Sequence, residues 1–309
     1  MTQTFGEKWL ETVDKRNSVL CAGLDPAEYA MGRGDEGLLE GEDKLAWGLR
    51  YVESVSVFCA AVKPNIQYWK GRGDSSKLRI INERAKELGL LWIDDSKLPD
   101  IGSTNDAGMF YSKGLEHDEK VGIGFNADAV TIAPYAGNME EASRMAKARD
   151  LGAITICLMS NPEYQKEKSM LVRLNQDERD TYNIDHLVSY DSLGTNVFVP
   201  RYIQLAHDAE EFGLDGVVIG APSDKNHIRD QEIKNVRDYL GDDKLVLLTG
   251  VGKQGGEAES IWRYFGKNNV IVNVGRALMI PKGSRSTPDD HIDAAIHFKN
   301  RLNDLRKAA

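Results

Sequence analysis

The segment 92–101, with the sequence WIDDSKLPDI, places charged residues directly after an apolar run. If the run is a β-strand, the alternation of side chains sends Asp95 and Lys97 to the same side. Lys63 follows another apolar run in the same way, and Asp100 lies three residues after Lys97. Four charges of alternating sign can form a ring of ion pairs, which makes their burial tolerable.

The chemistry that such a ring supports depends on the charge of Lys97. Flanking carboxylates favour its ammonium form and oppose the loss of charge that burial alone would cause. A protonated lysine held at a fixed point suits a general acid that delivers a proton to a developing carbanion. The alternative is a purely structural network of ion pairs. The position of the motif at strand ends, with Lys63 adjacent, favours the catalytic interpretation.

Two glycine-rich segments late in the chain could bind a phosphate: 250–256 (GVGKQGG) and 272–276 (VNVGR). Glycines let main-chain N–H groups approach an anion, and Arg276 offers a bidentate clamp. The first segment also matches a dinucleotide fingerprint, but the next apolar run ends without the acidic residue that a ribose would need. Gln254 stands where a Walker loop requires Ser or Thr. A phosphate site is therefore favoured over a dinucleotide or Walker site.

Eight apolar runs rich in β-branched residues recur along the chain, starting near residues 18, 57, 89, 127, 152, 215, 244 and 268. Nearly all are continuous rather than alternating, which is typical of parallel strands buried on both faces. Helical patterns separate them, with offsets of mostly about 25 to 40 residues, close to the size of a βα unit. A doubly wound sheet is possible, but eight strands favour an α/β fold of the (β/α)8 TIM-barrel type with an extra N-terminal helix.

We predict a single domain over residues 1–309, because no linker marks a boundary. The segment 161–199 is polar and charged and is interpreted as an insertion after strand 5. We expect it to fold over the barrel mouth or to extend a contact between subunits. Residues 26–43 form a second, glycine-rich and acidic loop.

Composition excludes several classes of protein. The net charge of −9 argues against non-specific nucleic-acid binding, and no apolar run is long enough to span a bilayer. The three cysteines lie in apolar runs, and the six histidines lack metal-ligand spacing, so we expect no metal site and most histidines on the surface. The N-terminal residues have no apolar signal-peptide core, which predicts a cytoplasmic protein.

The motifs, taken in order, resemble those of the orotidine 5'-phosphate decarboxylase family, in its longer, bacterial-type branch. They are GLDP at 23–26, VKPN at 62–65, D-x-K-x-x-D-I-x-x-T at 95–104, SNP at 160–162, and the two glycine-rich segments. The resemblance spans the whole predicted barrel. It implies decarboxylation of orotidine 5'-phosphate to uridine 5'-phosphate (UMP), the last step of UMP synthesis, without a cofactor or a metal.

The resemblance also implies roles for individual residues. Lys97 would donate a proton to C6 of the pyrimidine, Asp95 would lie against the substrate carboxylate, and Lys63 would hold Asp95 and the ribose. Asp100 and Thr104 would reach into the site of a partner subunit, which implies a homodimer with shared sites. The other implied substrate contacts are Asp25 to the ribose hydroxyls, Ser160 to the pyrimidine edge, and Gln254, Gly275 and Arg276 to the phosphate.

The chain departs from the family pattern at Leu98 and Pro99, where bacterial-type members usually have Arg-Gly, and in the length of its insertion. One rival is a metal-dependent sugar-phosphate decarboxylase or aldolase on the same barrel, such as 3-keto-gulonate-6-phosphate decarboxylase. Those relatives use an acidic metal ligand where this chain has Lys63, whose ammonium would repel magnesium. A non-catalytic nucleotide-binding barrel is a second rival, and a Rossmann oxidoreductase is the least favoured.

Overall fold

The computed structural model describes residues 3–114, 124–182, 189–191 and 196–309. Each of the eight apolar runs contains one strand of a closed, parallel barrel, which confirms the predicted (β/α)8 fold. In chain order the barrel strands are β1 (Leu20–Gly23), β2 (Ala61–Lys63), β3 (Leu91–Leu98), β4 (Ala129–Ile132), β5 (Gly152–Leu158), β9 (Gly216–Gly220), β10 (Leu245–Thr249) and β11 (Val270–Val274). β11 pairs with β1 and so closes the barrel.

Helices lie between the strands, and a small antiparallel sheet lies outside the barrel. The helices are α1 (Phe5–Arg16), α2 (Lys44–Val55), α3 (Asp74–Glu87), α4 (Gly102–Lys113), α5 (Met139–Lys147), α6 (Tyr164–Ser169), α7 (Gln176–Thr181), α8 (Arg201–Glu211), α9 (Asp230–Asp238), α10 (Arg276–Met279) and α11 (Pro288–Ala308). The antiparallel sheet contains β6 (Leu171–Leu174), β7 (Ser189–Tyr190) and β8 (Val197–Pro200), in the order β6-β8-β7.

The barrel strands are buried on both faces, as their continuous apolar sequences predict. All seven residues of β5 and all five of β9 and of β11 are buried. One face of each strand fills the barrel interior and the other packs under the surrounding helices, so neither face needs polar residues. Polar side chains are therefore concentrated where the strands end, and the carboxyl ends of all eight strands meet at the same mouth.

The N-terminal helix α1 lies against the opposite end of the barrel. Thr4 caps its first turn, and Phe5 and Trp9 are buried. Phe5 packs on Gly152, the first residue of β5, at a distance that leaves no room for a side chain there. The Trp9 indole donates to the carbonyl of Asn268, just before β11, at 2.7 Å. The helix thus covers the amino ends of the strands and leaves the mouth open.

The described part of the insertion packs on the flank of the barrel. Tyr164 donates a hydrogen bond to the carbonyl of Cys157 in β5 at 2.7 Å, which anchors α6 to the barrel wall. Lys168 forms a buried ion pair with Glu232 of α9 at 2.6 Å. β6 and β8 both contact α8. The predicted insertion, 161–199, ends within β8 and shortly before α8. Its division from the barrel domain stays a prediction.

Within the described residues, no helix is both long and apolar enough to cross a bilayer. The cysteines Cys21, Cys59 and Cys157 are fully buried and unbridged. Burial raises the pKa of the Cys21 thiol to about 12 and raises those of the other two thiols as well. Two of the predicted surface histidines, His117 and His186, lie outside the described residues.

Candidate active site

One carboxylate at the barrel mouth receives hydrogen bonds from three neighbouring strands. The ammonium of Lys63, at the end of β2, donates to Asp95 Oδ2. Asp95 itself lies in β3, and the ammonium of Lys97, in the same strand, donates to Asp95 Oδ1 at 2.5 Å. The Thr131 hydroxyl of β4 donates to the same oxygen at 3.0 Å. Asp95 and Lys97 therefore do lie on the same side of β3, as predicted.

The charges of this cluster are set by mutual contact rather than by solvent. Burial of Asp95 opposes its ionisation, but Lys63 and Lys97 outweigh that effect and hold its pKa well below the usual range. Burial of Lys63 opposes its charged form, but Asp95 and Asp25 outweigh it and raise its pKa. The pair Lys63–Asp95 is therefore ionised in the interior. Lys97 is about one-third exposed and lines a cavity together with Asn65 and Asp95, so a ligand can reach it.

Asp100, the fourth residue of the predicted ring, does not contact the cluster in its own chain. Asp100 is exposed, and its carboxylate accepts from the adjacent Ile101 N–H at 2.8 Å instead of pairing with a lysine. Thr104, in the first turn of α4, is also exposed. The fourth charge beside Lys63 is Asp25, which accepts a hydrogen bond from the Asn65 N–H at 2.9 Å. Burial raises the pKa of Asp25, and Lys63 opposes that rise.

The backbone at Lys97 adopts an unusual conformation. Its φ is +49°, in the left-handed region, and the register between β3 and β4 shifts between Asp94 and Leu98. A non-glycine residue there costs roughly 1–2 kcal/mol, so other contacts must hold it in place. One such contact is the Lys97 N–H donating to the Thr131 hydroxyl at 2.9 Å. The irregularity turns Lys97 back toward Asp95 at the end of the strand.

Asp94, on the opposite side of β3, is a fully buried carboxyl with different partners. The hydroxyl of Ser96 donates to one of its oxygens at 2.5 Å, and that of Ser112 donates to the other. Burial raises the pKa of Asp94 to about 6, against the two hydrogen bonds that lower it. Neighbouring carboxyls of one strand thus have opposite shifts, because Asp95 faces two ammonium groups and Asp94 faces none directly.

The wild-type protein is expected to lose stability as the pH rises to about 6, because Asp94 then ionises in the interior. Asp94→Asn cannot ionise at this position and should not show that loss. A folded-state pKa of about 6, above the usual 3.8, means that the protonated form stabilises the fold below pH 4. That contribution is lost as the pH rises to about 6, and it amounts to roughly 3 kcal/mol. Urea unfolding at pH 4 and pH 7 should show the wild type losing this much relative to Asp94→Asn. If the difference in the free energy of unfolding between the two proteins is the same at both pH values, the pKa shift is contradicted. Asp304→Asn, at an exposed carboxylate of α11, is the control.

The predicted phosphate residues surround a second part of the mouth. A cavity of about 230 Å³ is lined by Gln254, Gly275, Arg276 and also Asp25. The Ser160 hydroxyl, after β5, lies 3.5 Å from Gln254 Oε1 and so belongs to the same wall. The structure thus brings together every predicted substrate contact except Thr104.

The close packing of two strand ends explains one glycine at this site. A Cβ atom on Gly23, the last residue of β1, would lie 2.8 Å from the Cα of Gly275. Glycine at position 23 therefore lets β1 and β11 approach, and it leaves the Gly275 backbone beside the cavity. Gly252, with φ +93°, begins a tight turn around Gln254 that the Gly255 N–H closes by donating to the Gly252 carbonyl at 2.8 Å.

Three charged residues of this cavity were missed from the sequence: Arg33, Glu36 and Lys253. Glu36 forms an ion pair with Arg276 at 2.5 Å. The signal available was weak: the loop 26–43 follows a barrel strand at its carboxyl end, so its charges must lie near the mouth. Which of its charges face the cavity depends on the loop conformation.

Comparisons with known proteins give matches over most of the chain. The model of the Orotidine 5'-phosphate decarboxylase / HUMPS family matches residues 18–283. The orotidine 5'-phosphate decarboxylase of Ralstonia pickettii is 29% identical over 311 residues, which cover 98% of this chain and 99% of the relative. That of Corynebacterium efficiens is 29% identical over 298 residues, covering 90% and 91%. The structure of Leishmania donovani OMP decarboxylase matches with a TM-score of 0.69 at 20% identity, covering 99% of this chain and 100% of that one, a likeness of fold.

Proposed function

The chain belongs to the Orotidine 5'-phosphate decarboxylase / HUMPS family, and we propose that it is a carboxy-lyase that converts orotidine 5'-phosphate to UMP. The observation that carries this proposal is the Lys63–Asp95–Lys97 cluster, which Asp25 connects to a cavity of about 230 Å³ lined by Arg276. One end of the mouth offers a fixed ammonium group, and the other offers arginine and glycine backbone for an anion. A cytoplasmic location stays a prediction.

The proposed reaction breaks the bond between C6 of the pyrimidine and its carboxylate carbon. CO₂ leaves, and the electron pair of that bond stays at C6, where the ring offers no electron sink. The Lys97 ammonium stabilises the developing charge and donates its proton to C6, becoming a neutral amine. Asp95 holds the Lys97 ammonium in position and lies where it disfavours the negative substrate carboxylate. Lys63 neutralises one oxygen of Asp95 and so allows its burial.

The binding energy is proposed to come largely from the part of the substrate that does not react. Arg276, Gln254 and the Gly275 backbone would bind the phosphate, and Asp25 would accept hydrogen bonds from ribose hydroxyls. Ser160, beside Gln254, would contact the pyrimidine edge. Contacts to a remote phosphate can contribute to catalysis because they fix the reacting carbon against Lys97.

Asp100 and Thr104 are proposed to act in a neighbouring subunit. Both are exposed in their own chain, and the Asp100 carboxylate has no cationic partner among the described residues. In a homodimer with shared sites, Asp100 of each chain would complete the charge ring of the other.

The family also includes sugar-phosphate enzymes, for which the arrangement at Lys63 is unfavourable. A divalent cation would need carboxylate oxygens that are free of other cations. Here both oxygens of Asp95 already accept from ammonium groups. The geometry therefore supports a metal-independent reaction on a nucleotide better than a magnesium-dependent one on a sugar phosphate.

Purified protein is expected to consume orotidine 5'-phosphate in the presence of EDTA, because no step of the proposed reaction uses a metal. The measurement is the decay of substrate absorbance, with UMP identified as the product. Orotidine, which lacks the phosphate, serves as the control substrate and should decay far more slowly. A folded protein that leaves orotidine 5'-phosphate unchanged would refute the proposal, and sugar phosphates with magnesium would be tried next.

A further inference from the structure

Glu36 lies among the cations of the phosphate cavity. Its Oε2 accepts from the Arg276 guanidinium at 2.5 Å, and its Oε1 lies 3.9 Å from the Lys253 ammonium. Arg33 lines the same cavity. An internal carboxylate therefore engages the groups that a phosphate entering this cavity would use.

The backbone around Glu36 has contacts on both sides, and on the preceding side the Asp35 carboxylate accepts a hydrogen bond from the Ser284 hydroxyl at 3.3 Å. Glu36 ends a short 3-10 turn (Gly34–Glu36), and the preceding glycines Gly32 and Gly34 have φ of +66° and +56° with open space around them. Directly after it, Leu38 is buried and its N–H donates to the Ala27 carbonyl at 2.7 Å. The carboxylate thus extends from a fixed point into the cavity on a flexible side chain.

The charges of Glu36 and of an entering phosphate determine which of the two anions Arg276 binds. Both Glu36 and Arg276 keep 39% of their side chains exposed, so their ion pair is screened and weak. A phosphate dianion offers Arg276 two or three oxygens and a larger charge, and it repels a carboxylate left in the same cavity. Arg276 cannot present the same N–H groups to both anions.

We propose that Glu36 is an internal competitor of the substrate phosphate: it occupies Arg276 while no phosphate is bound and must leave as phosphate binds. The inference rests on the phosphate site of the proposed function. It makes Glu36 a determinant of specificity, because a dianionic phosphate monoester can displace the carboxylate, whereas a ligand without phosphate has no group to replace it. Affinity for the phosphate is lowered by the cost of this displacement.

The competing explanation is that Glu36 positions Arg276 for the substrate, and the two explanations predict opposite signs. Glu36→Gln removes the charge and keeps the side-chain shape. Ribose 5-phosphate is the probe, titrated by calorimetry, and ribose is the probe without phosphate. If Glu36 competes, the variant binds ribose 5-phosphate about fivefold to tenfold more tightly than the wild type. Binding of ribose should not change.

The matched control is Glu42→Gln, which removes the same charge from the same loop. Glu42 pairs with Arg50 at 2.5 Å and does not line the cavity, so this variant should bind ribose 5-phosphate as the wild type does. Equal or weaker binding by Glu36→Gln would overturn the inference, as would tighter binding by both variants or no binding by any protein. Because the probe does not react, tighter binding without decarboxylase activity would refute the proposed reaction and leave this inference standing.

Discussion

Replacing Lys97 with alanine is expected to abolish decarboxylation while the barrel still folds. The substitution removes the proposed proton donor and the only ammonium of the cluster that faces the mouth, which should lower kcat by at least about 10³-fold. Asp95 keeps its contacts with Lys63 and Thr131, so no buried charge loses its last partner. The measurement is the decay of orotidine 5'-phosphate absorbance, with circular dichroism as the test of folding.

Lys77→Ala is the matched control for this experiment. Lys77 is also about one-third exposed and pairs with an aspartate, Asp74, at 3.5 Å, but it lies on α3 outside the mouth. It should keep the wild-type rate. If Lys97→Ala retained more than a small fraction of that rate, the proton would have to come from another group or from water, and the proposed mechanism would be wrong.

Asp95→Asn is expected to have the largest effect on stability. The change leaves the buried Lys63 ammonium without its direct charged partner, and breaking a buried ion pair in this way costs about 3–5 kcal/mol. The pKa of Asp95 is lower in the folded than in the unfolded protein. Its contribution to the free energy of unfolding is therefore present above about pH 4, and it is lost as the pH falls toward the pKa of the folded state. The deficit of the variant should therefore be full at pH 7 and should shrink in acid.

Urea unfolding at pH 7 and pH 3 measures this deficit. Asp304→Asn serves as the control, since this exposed carboxylate of α11 should change the free energy of unfolding by less than about 0.5 kcal/mol. If Asp95→Asn unfolded at the same urea concentration as the wild type, the Lys63–Asp95 pair would contribute nothing to the fold. The ionised state that the mechanism requires would then lack its physical basis.

The barrel was predictable because strands that are buried on both faces have continuous apolar sequences. Eight apolar runs, nearly all continuous, favoured eight parallel strands in a barrel, and the polar residues that follow most of them were expected at one mouth. Local alternation also predicted that Asp95 and Lys97 lie close together, and they are in contact. The contact depends in addition on the left-handed backbone at Lys97, which alternation does not predict.

The departures come from contacts that no local pattern encodes. Asp100 lies beyond Pro99, past the end of β3, so strand alternation no longer determines where its carboxylate points. Asp25 replaces it beside Lys63 because the pairing of β1 with β2 brings their ends together. The ion pair of Glu36 with Arg276 joins residues 240 positions apart.

The buried position of one histidine was likewise not predictable from its neighbours in the sequence. Most of the histidines were expected on the surface, but His291 is only 2% exposed and its Nε2 lies 2.9 Å from the Met279 carbonyl oxygen. Its ring packs edge-on against Tyr51 and Trp47 of α2. The polar surroundings of His291 in the sequence reflect the outer face of α11, whereas the residue itself is on the inner face.

The burial of all three native thiols has a practical consequence for labelling. Cys21, Cys59 and Cys157 are inaccessible to a maleimide dye in the folded protein, and their high pKa values keep them as unreactive thiols. A cysteine introduced at the exposed Asp35, next to Glu36, would then be the single reactive thiol of the chain. Fluorescence from that position could follow the loop during ligand binding in an otherwise native protein.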